Sequence, residues 1–423
     1  MRKRLCLLLV SILICSQNGF IALAESEPAE NWIDFAEKPP CDYENEHYYI
    51  YTAEQLAWIS EQLRNGNDFN GKKVFLKNNI DLGGKEWTPI GLPVDEDAMF
   101  SDKGRIFFGG TFDGNGHKIY NLTITNPTVY SDDYGETISY AGLFTVIENA
   151  TIENIALVNC NLVGNEYTWA APVAVAAFNS LINNCYVSGI IESALISSGL
   201  ISITEDSVIA NCYSTVNFHD NPAAAGLILF ALKTSVTRCY WSGQLLGLDE
   251  YDETPYQYIP LVASCDFIFP IENEAYYMLL SYLYWDVDNV PLYEGYDTKK
   301  PDKYTIPLTT KQFKTQLPPG FDDEYWGIIP GLTYPYLKVF GEPDFELSVE
   351  QTSEHYVNVT VGDYASGCKL FAALYSPDNR LLETKIVPAA SGIITFSRPI
   401  ADNKYKIFLW SDTERIIPAA IAE

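Results

Sequence analysis

Three short segments, NNCYVSG at 183–189, ANCYSTV at 210–216 and TRCYWSG at 237–243, each carry a cysteine followed by tyrosine. Adding LVNCNLVG and VASCDFIF gives the series Cys160, Cys185, Cys212, Cys239 and Cys265, at intervals of 25, 27, 27 and 26 residues. A period of that size is the mark of stacked repeats, in which each unit buries its apolar face only against the next. The segments around the cysteines are short, rich in Val, Ile and Tyr, and separated by Gly, Asn and Ser, as in TIENIALVNCNLVG and SVIANCYSTVNF. They lack the three-and-four apolar spacing of helices, so the repeats are built from strands. If about 27 residues make one turn of two or three strands, equivalent residues of successive turns lie about 4.8 Å apart and like side chains stack into ladders.

In such a ladder Cys160, Cys185, Cys212, Cys239 and Cys265 act as small buried apolar groups at one inward corner. Parallel Cα–Cβ directions suit stacking better than a disulfide, which turns two side chains toward one another. A disulfide or redox pair is the competing reading. Outside the first 24 residues there are seven cysteines, an odd number that precludes complete internal pairing. Zinc is disfavoured, because no pair has the close ligand spacing and His47, His117, His219 and His355 are isolated. Asn159, Asn184 and Asn211 precede three of the cysteines, and asparagine ladders at corners satisfy backbone groups. Tyr186, Tyr213 and Tyr240 follow, and alternation puts them on the opposite face as an exterior row.

The chain begins MRKR, continues LCLLLVSILIC and reaches Ala22-Leu23-Ala24, the three parts of a secretory signal peptide cleaved after Ala24. Ile14 stands before Cys15, where a lipid-anchor site needs a small residue. No later apolar run reaches the ~18 residues of a membrane span. The expected product is secreted or held at the cell surface, with no membrane insertion. The formal net charge of −28 deepens when Arg2, Lys3 and Arg4 leave with the signal, which argues against nucleic acid and anionic membranes as partners. Apolar residues at 47% and aromatics at 14% argue for a folded chain despite that charge.

The runs IYTAEQLAWIS, FNGKKVFLKNNIDLGGKEWTPIG, GGTFDGNGHKIYNLTI and AGLF, with the NCY blocks, resemble bacterial exported proteins carrying GLUG repeats. The resemblance covers roughly 48–340 and implies a right-handed parallel β-helix. The motif stands as GLFT (142–145), GLIS (199–202) and GLIL (226–229), each without its final glycine, while PVAV (172–175) replaces it in one repeat. The family brings no shared catalytic residues. Two capping boxes predict helices that cover the open ends of the stack. Thr52 with Gln55 starts one through about residue 64, bearing Leu56, Ile59 and Leu63 and stopped by Gly66. Thr309 with Gln312 starts a shorter one bearing Phe313 and Leu317, ended by Pro318 and Pro319.

After Gly341-Glu342-Pro343 the pattern becomes clean alternation: Phe345, Leu347, Val349, then Val357, Val359, Val361, then KLFAALYS, RLLETKIV, GIITFSR and YKIFLW. Such short strands, with a turn at SPDN (376–379), predict a small antiparallel sandwich. ALYSPDNRLL and YKIFLWSD are similar to a C-terminal module of exported proteins from anaerobic Gram-positive bacteria. The expected organisation is a signal peptide at 1–24, a leader at 25–47, an all-β body consisting of a parallel β-helix at 48–342, and a β-sandwich at 343–423.

Parallel β-helices can host polysaccharide lyases and hydrolases, which use exposed carboxylates or Ca²⁺ with a basic residue. TFDGNGHKI brings Asp113, His117 and Lys118 together, although Asp-Gly-Asn-Gly is foremost a turn sequence. Other carboxylates, Asp95, Glu96, Asp97, Asp132, Asp133 and Glu136 among them, fall in insertions that break the period and match no calcium-loop spacing. No metal or cofactor is expected, and no nucleophile elbow, zinc-protease helix or phosphate loop is present. The expected function is a non-catalytic, monomeric binding or adhesion protein that meets a glycan or protein. Its contacts would be Tyr186, Tyr213, Tyr240 and the insertion LGLDEYDETPYQY (246–258), with Asp249, Glu250, Asp252 and Glu253. A polysaccharide lyase or hydrolase and a structural spacer are the rivals.

Overall fold

The computed structural model describes residues 30–91, 106–131, 137–246, 257–259, 261–264, 279–290, 305–343, 347–361, 369–388, 392–400, 403–410 and 420–422. The chain is all-β with several parallel sheets. It divides into two compact units, Met1–Thr309 and Thr310–Glu423.

In the first unit the sequence repeat appears as strand pairing. Thr151–Glu153 pairs with Leu181–Asn183, which pairs with Val208–Ala210, which pairs with Ser235–Trp241, always in parallel. Paired positions advance by 30 residues from 151 to 181, then by 27 to 208 and by 27 to 235. Two further parallel sheets repeat in step. One contains Phe144–Glu148, Ala174–Phe178, Ile201–Glu205, Ile228–Leu232 and Val262–Ser264. The other contains Thr137–Ala141, Thr168–Ala170, Ile196–Ser198, Ala223–Ala225 and Gln257–Ile259.

One repeat thus carries four strands, such as Ile196–Ser198, Ile201–Glu205, Val208–Ala210 and Tyr213–His219, where the spacing predicted two or three. The extra breaks are corners made by single residues in the left-handed region, not by Gly/Pro loops. Asn179, Asp206 and Lys233 (φ 47, 49 and 47) turn one corner, and Asn184, Asn211 and Arg238 (φ 53, 50 and 51) turn the next. Asparagine and aspartate enter that region at the lowest cost among non-glycine residues.

In-register pairing stacks like on like. One interior row runs Tyr48, Val74, Phe112, Ile152, Ile182, Ile209, Val236 and Leu280. The six from Val74 to Val236 are fully buried. Each such side chain contributes about 1.5–3 kcal/mol on leaving water, so the row is a principal source of the unit's stability. Gly142 and Gly199 of the GLFT and GLIS segments lie where the backbone of the next repeat comes close. A Cβ there would meet the carbonyl oxygen of Ala171 at 2.2 Å and of Gly226 at 2.1 Å. Leu143, Leu200 and Leu227, which follow the motif glycines, are all fully buried.

The helix Ala53–Arg64 begins and ends where its capping signals predict. The Gln55 N–H donates to Thr52 Oγ1 (3.3 Å), and the Tyr51 N–H donates to Gln55 Oε1 (2.8 Å). Leu56, Ile59 and Leu63 are fully buried in the core cluster that holds the interior row. Gly66 leaves the helix at φ 88. The shorter helix is Thr310–Phe313, with Phe313 buried, and it belongs to the second unit.

Among the described residues the second unit contains a short antiparallel pair, Trp326–Gly327 with Tyr336–Leu337, and two larger antiparallel sheets. Leu347–Gln351, Tyr356–Val361 and Gly392–Thr395 form one; Leu381–Pro388, Lys369–Tyr375, Lys404–Trp410 and Ala420–Ala422 form the other. Alternate residues of both, including Val357, Val359, Ile394, Leu370, Leu374, Ile407 and Leu409, meet in one apolar cluster. The SPDN turn closes with the Asn379 N–H donating to the Ser376 carbonyl (2.9 Å).

Candidate binding face

The tyrosines form a row but not an exterior one. Tyr186 pairs with Tyr213 and Tyr213 with Tyr240, ring centroids 4.3 and 4.9 Å apart and planes tilted by 19° and 8°. Tyr284 continues the register. Exposure falls from 8% at Tyr186 to 3% at Tyr213 and 0% at Tyr240, so the expected contact surface is closed. In register, rings one strand spacing apart cover both flat faces of Tyr213.

The cysteine series is also corrected. Asn183 pairs with Ala210 and Tyr186 with Tyr213, which sets Cys185, Cys212 and Cys239 in equivalent positions, and Cys239 pairs with Leu283. Cys160 stands opposite Gly189, across a bulge, and so belongs to a different row. Its interval of 25 residues resembles the period only because the true advance at that step is 30. Ile155, one residue before Ala156, the partner of Tyr186, fills the place given to Cys160. Cys265 lies outside the described residues. Cys41, Cys160, Cys185, Cys212 and Cys239 are free thiols. Burial pushes the Cys160, Cys212 and Cys239 thiols well above their ordinary range, which leaves them as protonated apolar groups.

The corner residues form polar ladders. Asn184 Nδ2 donates to Asn154 Oδ1 (3.1 Å), and Asn154 Nδ2 donates to Asp113 Oδ1 (3.0 Å). Asn211 Nδ2 donates to Asn183 Oδ1 (3.0 Å), and Arg238 Nε donates to Asn211 Oδ1 (2.8 Å). Asn154 is therefore the counterpart of Asn184. Asn159 belongs instead to a second ladder, donating from Nδ2 to Asn121 Oδ1 (2.6 Å), while Asn121 donates to Asp81 Oδ1 (2.7 Å). At the other corner Ser180 Oγ accepts from the Ala150 N–H and Ser207 Oγ from the Ser180 N–H, each at 3.1 Å. The dipeptides Asn179-Ser180, Asp206-Ser207 and Lys233-Thr234 are the sequence signal of that ladder.

On either side of the interior row, two outward rows share one face. The first is His47, Lys73, Thr111, Thr151, Leu181, Val208, Ser235 and Leu279; the second is Tyr49, Phe75, Asp113, Glu153, Asn183, Ala210, Thr237 and Ser281. Ala210 is buried, and the others are half-buried or exposed. At one end of this face the rings of Tyr49 and Phe75 are stacked, with centroids 6.0 Å apart and a 21° tilt. His47 meets Phe75 edge-on at 5.4 Å. Lys77 Nζ lies 5.2 Å from the Tyr49 centroid and 5.9 Å from that of Phe75, within reach of a cation–π contact.

Asp113 and Glu153 come next, directly paired on adjacent strands. Asp113 Oδ1 is occupied by the Asn115 N–H (2.7 Å) and by Asn154. Its segment is the expected turn, with Asn115 and Gly116 at φ 53 and 76 and the His117 N–H donating to the Gly114 carbonyl (2.8 Å). Burial first, and the neighbouring Asp113 charge second, raise the Glu153 carboxyl above its ordinary pKa, with Lys73 acting the other way. Among the described residues, neither Asp113 Oδ2 nor either Glu153 carboxylate oxygen is taken up in a hydrogen bond.

Asp249, Glu250, Asp252 and Glu253, with Asp95, Glu96, Asp97, Asp132, Asp133 and Glu136, lie outside the described residues. Among the described residues no group of three His, Cys, Asp or Glu side chains could hold a metal ion, and no helix is long and apolar enough to cross a membrane. A small hollow is bounded by Asn31, Arg64, Glu86, Thr88, Asn126 and Tyr140, and its Glu86 carboxylate accepts from the Thr125 N–H (2.9 Å) and hydroxyl. Comparison with known proteins finds no matching family model, no matching curated protein and no matching solved structure.

Proposed function

We propose that this chain is a non-catalytic, exported or cell-surface binding protein. In this reading its first unit is a right-handed parallel β-helix of the GLUG-repeat kind and its second a β-sandwich module, and an extracellular glycan or protein is met through the face described above. The supporting observation is the composition of the outward rows: a stacked aromatic pair, His47, two adjacent carboxylates with open oxygens, and Asn183 on one in-register face. Rigid aromatic area beside convergent polar groups is what recognition of a partner requires. The test is retention of the full chain on cell-wall and mucus fractions, with and without the paired substitution Tyr49→Ala/Phe75→Ala. Loss of about tenfold or more in affinity is expected. Equal retention of both proteins would remove this face from the function.

A polysaccharide hydrolase is the second reading. It is favoured by the pairing of Asp113 with Glu153 on adjacent strands, two neighbouring carboxyls being the groups glycosidases use, and by the raised Glu153 pKa. Release of reducing ends from a polysaccharide panel, abolished by Glu153→Gln, would establish it in place of the first.

A further inference from the structure

Resting on the binding reading above, we infer that the ligand of this face is a neutral linear glycan laid across the strands. Its sugar rings would pack against the pair Tyr49 and Phe75, and its hydroxyls would meet Asp113, Glu153 and Asn183. Three observations narrow the class.

The first is backbone pairing. Lys73–Leu76, Thr111–Asp113, Thr151–Glu153, Leu181–Asn183, Val208–Ala210 and Ser235–Trp241 each have a hydrogen-bonded neighbour on both sides. Extended peptides are commonly held by the free backbone of a sheet edge, and the middle of this face offers none. Recognition here is by side chains alone.

The second is charge. Lys73 acts on Glu153 against Asp113, and Lys77 lies over the aromatic pair, so the face carries cations as well as carboxylates, while the whole chain carries −28. An acidic polysaccharide would be repelled by the chain's field. A polycation would be drawn in, but it would have to displace Lys77 from the same two rings. A neutral polymer is not repelled by the field, and it moves Lys77 from the rings into solvent without bringing a second cation beside it.

The third is the order of groups along the second row. Tyr49 and Phe75 supply aromatic area; Asp113, Glu153 and Asn183 follow at successive strand steps of about 4.8 Å. Each pyranose carries an apolar ring face and a rim of equatorial hydroxyls, so a linear glycan lying along the row can meet the aromatic pair with some residues and the polar groups with the next. Carboxylate oxygens with open lone pairs, Asp113 Oδ2 and those of Glu153, are the acceptors those hydroxyls need.

The experiment is affinity electrophoresis of the full chain through gels containing hydroxyethylcellulose or glucomannan, with polygalacturonate and chitosan as the charged alternatives. Retardation by a neutral polymer is expected to survive about 0.5 M NaCl, because no ion pair carries it. It should fall about tenfold in Tyr49→Ala/Phe75→Ala and several-fold in Asp113→Asn/Glu153→Gln. Leu279→Ala, on the same face but away from the aromatic pair, should leave it unchanged. Tyr49→Leu, which keeps the bulk and loses the flat ring, gives the same readout if the double alanine variant fails to fold. Absence of retardation by both neutral polymers, retardation insensitive to these substitutions, or salt-sensitive retardation confined to polygalacturonate or chitosan would each overturn the inference. If the neutral polymers fail while retention on wall or mucus fractions still depends on Phe75, the glycan class falls and the binding reading stands; if that dependence is missing too, both fall.

Discussion

The two units solve the problem of burying strands in opposite ways. In the repeats a residue meets its own counterpart: Ile182 lies between Ile152 and Ile209, and Tyr213 between Tyr186 and Tyr240. In the second unit antiparallel pairing has no repeat to match residue with counterpart: Leu370 meets Leu409, but Lys369 is opposite Trp410 and Tyr375 opposite Lys404. Tolerance to substitution in the repeats is therefore governed by the distance to the next repeat's backbone and by the like neighbour in the row. In the antiparallel sheets it is governed by which side of the strand a residue occupies.

Glycine substitution tests that contrast most severely. A Cβ at Gly199 would meet the Gly226 carbonyl oxygen at 2.1 Å, and that atom is backbone in the adjacent repeat. A Cβ at Gly392, in a strand of the second unit, would have no atom within 4 Å. Gly199→Val is expected to destabilise by more than about 3 kcal/mol and Gly392→Val by about 0.5 kcal/mol or less. Urea unfolding of the full chain, with hydrogen exchange to assign the transition to a unit, measures both. Equal costs would mean that close approach between repeats does not limit the first unit.

Tyrosine removal is the next step down in size. Tyr213 is 3% exposed between two stacked rings, whereas Tyr356 of the second unit is 45% exposed. Tyr213→Ala should cost about 3 kcal/mol, the scale of a buried aromatic lost from a core, and Tyr356→Ala no more than about 0.5 kcal/mol. A small effect at Tyr213 would show that the row adds little beyond filling space.

The same contrast explains what the sequence disclosed. Capping residues announced the helix Ala53–Arg64, and the alternation after 343 announced the antiparallel strands, because both signals are local. The period was legible where the repeat length held at 27, and it failed one repeat earlier, where the bulge opposite Gly189 carried Cys160 out of the row. Alternation assigned the tyrosines to the outer side of their strand but could not show that stacking would close that side. The aromatic and carboxylate face escaped notice because its first strands are 26, 38 and 40 residues apart, from 47 to 73, 111 and 151. Insertions of different length hid the triplets HYY, KVF, TFD and TIE, which share one place in the repeat.

The thiols give a smaller effect with a chemical readout. Cys212 is fully buried, with Sγ 3.1 Å from the Ala210 carbonyl oxygen, while Cys41 is half-buried. Cys212→Ser places a more polar group in the same row and should cost about 1–2 kcal/mol. Alkylation of the native protein, mapped by mass spectrometry, should label Cys41 and spare Cys212 and Cys239. The raised thiol pKa adds a pH dependence: above the ordinary value of 9.0 the unfolded thiols ionise and the folded ones do not, so stability falls as pH rises through that range. Rapid native labelling of Cys212 would mean that the repeats open readily.

Two glutamates carry the comparison to its smallest scale and reverse its sign. In the repeats, burial and Asp113 raise Glu153, so the folded chain holds that proton more tightly than the unfolded one, and stability falls as pH rises just above the ordinary 4.5. In the second unit, Glu383 accepts from the Ser397 hydroxyl (2.6 Å) and backbone N–H (3.0 Å), which lower its pKa. Its contribution is present above 4.5 and is lost as pH falls through the lowered folded value. At neutral pH Glu153→Gln should stabilise and Glu383→Gln destabilise, each by about 0.5 kcal/mol or less because both groups are only half-buried and solvent screens them in part. Going to an acid pH should shrink both differences, at Glu153 once the pH is below the ordinary 4.5 and its carboxyl is protonated in either state, and at Glu383 only below its lowered folded value. Matched urea titrations at the two pH values decide it: if both substitutions shift stability in the same direction at neutral pH, the carboxylate pair on the parallel face is not under the strain assigned to it.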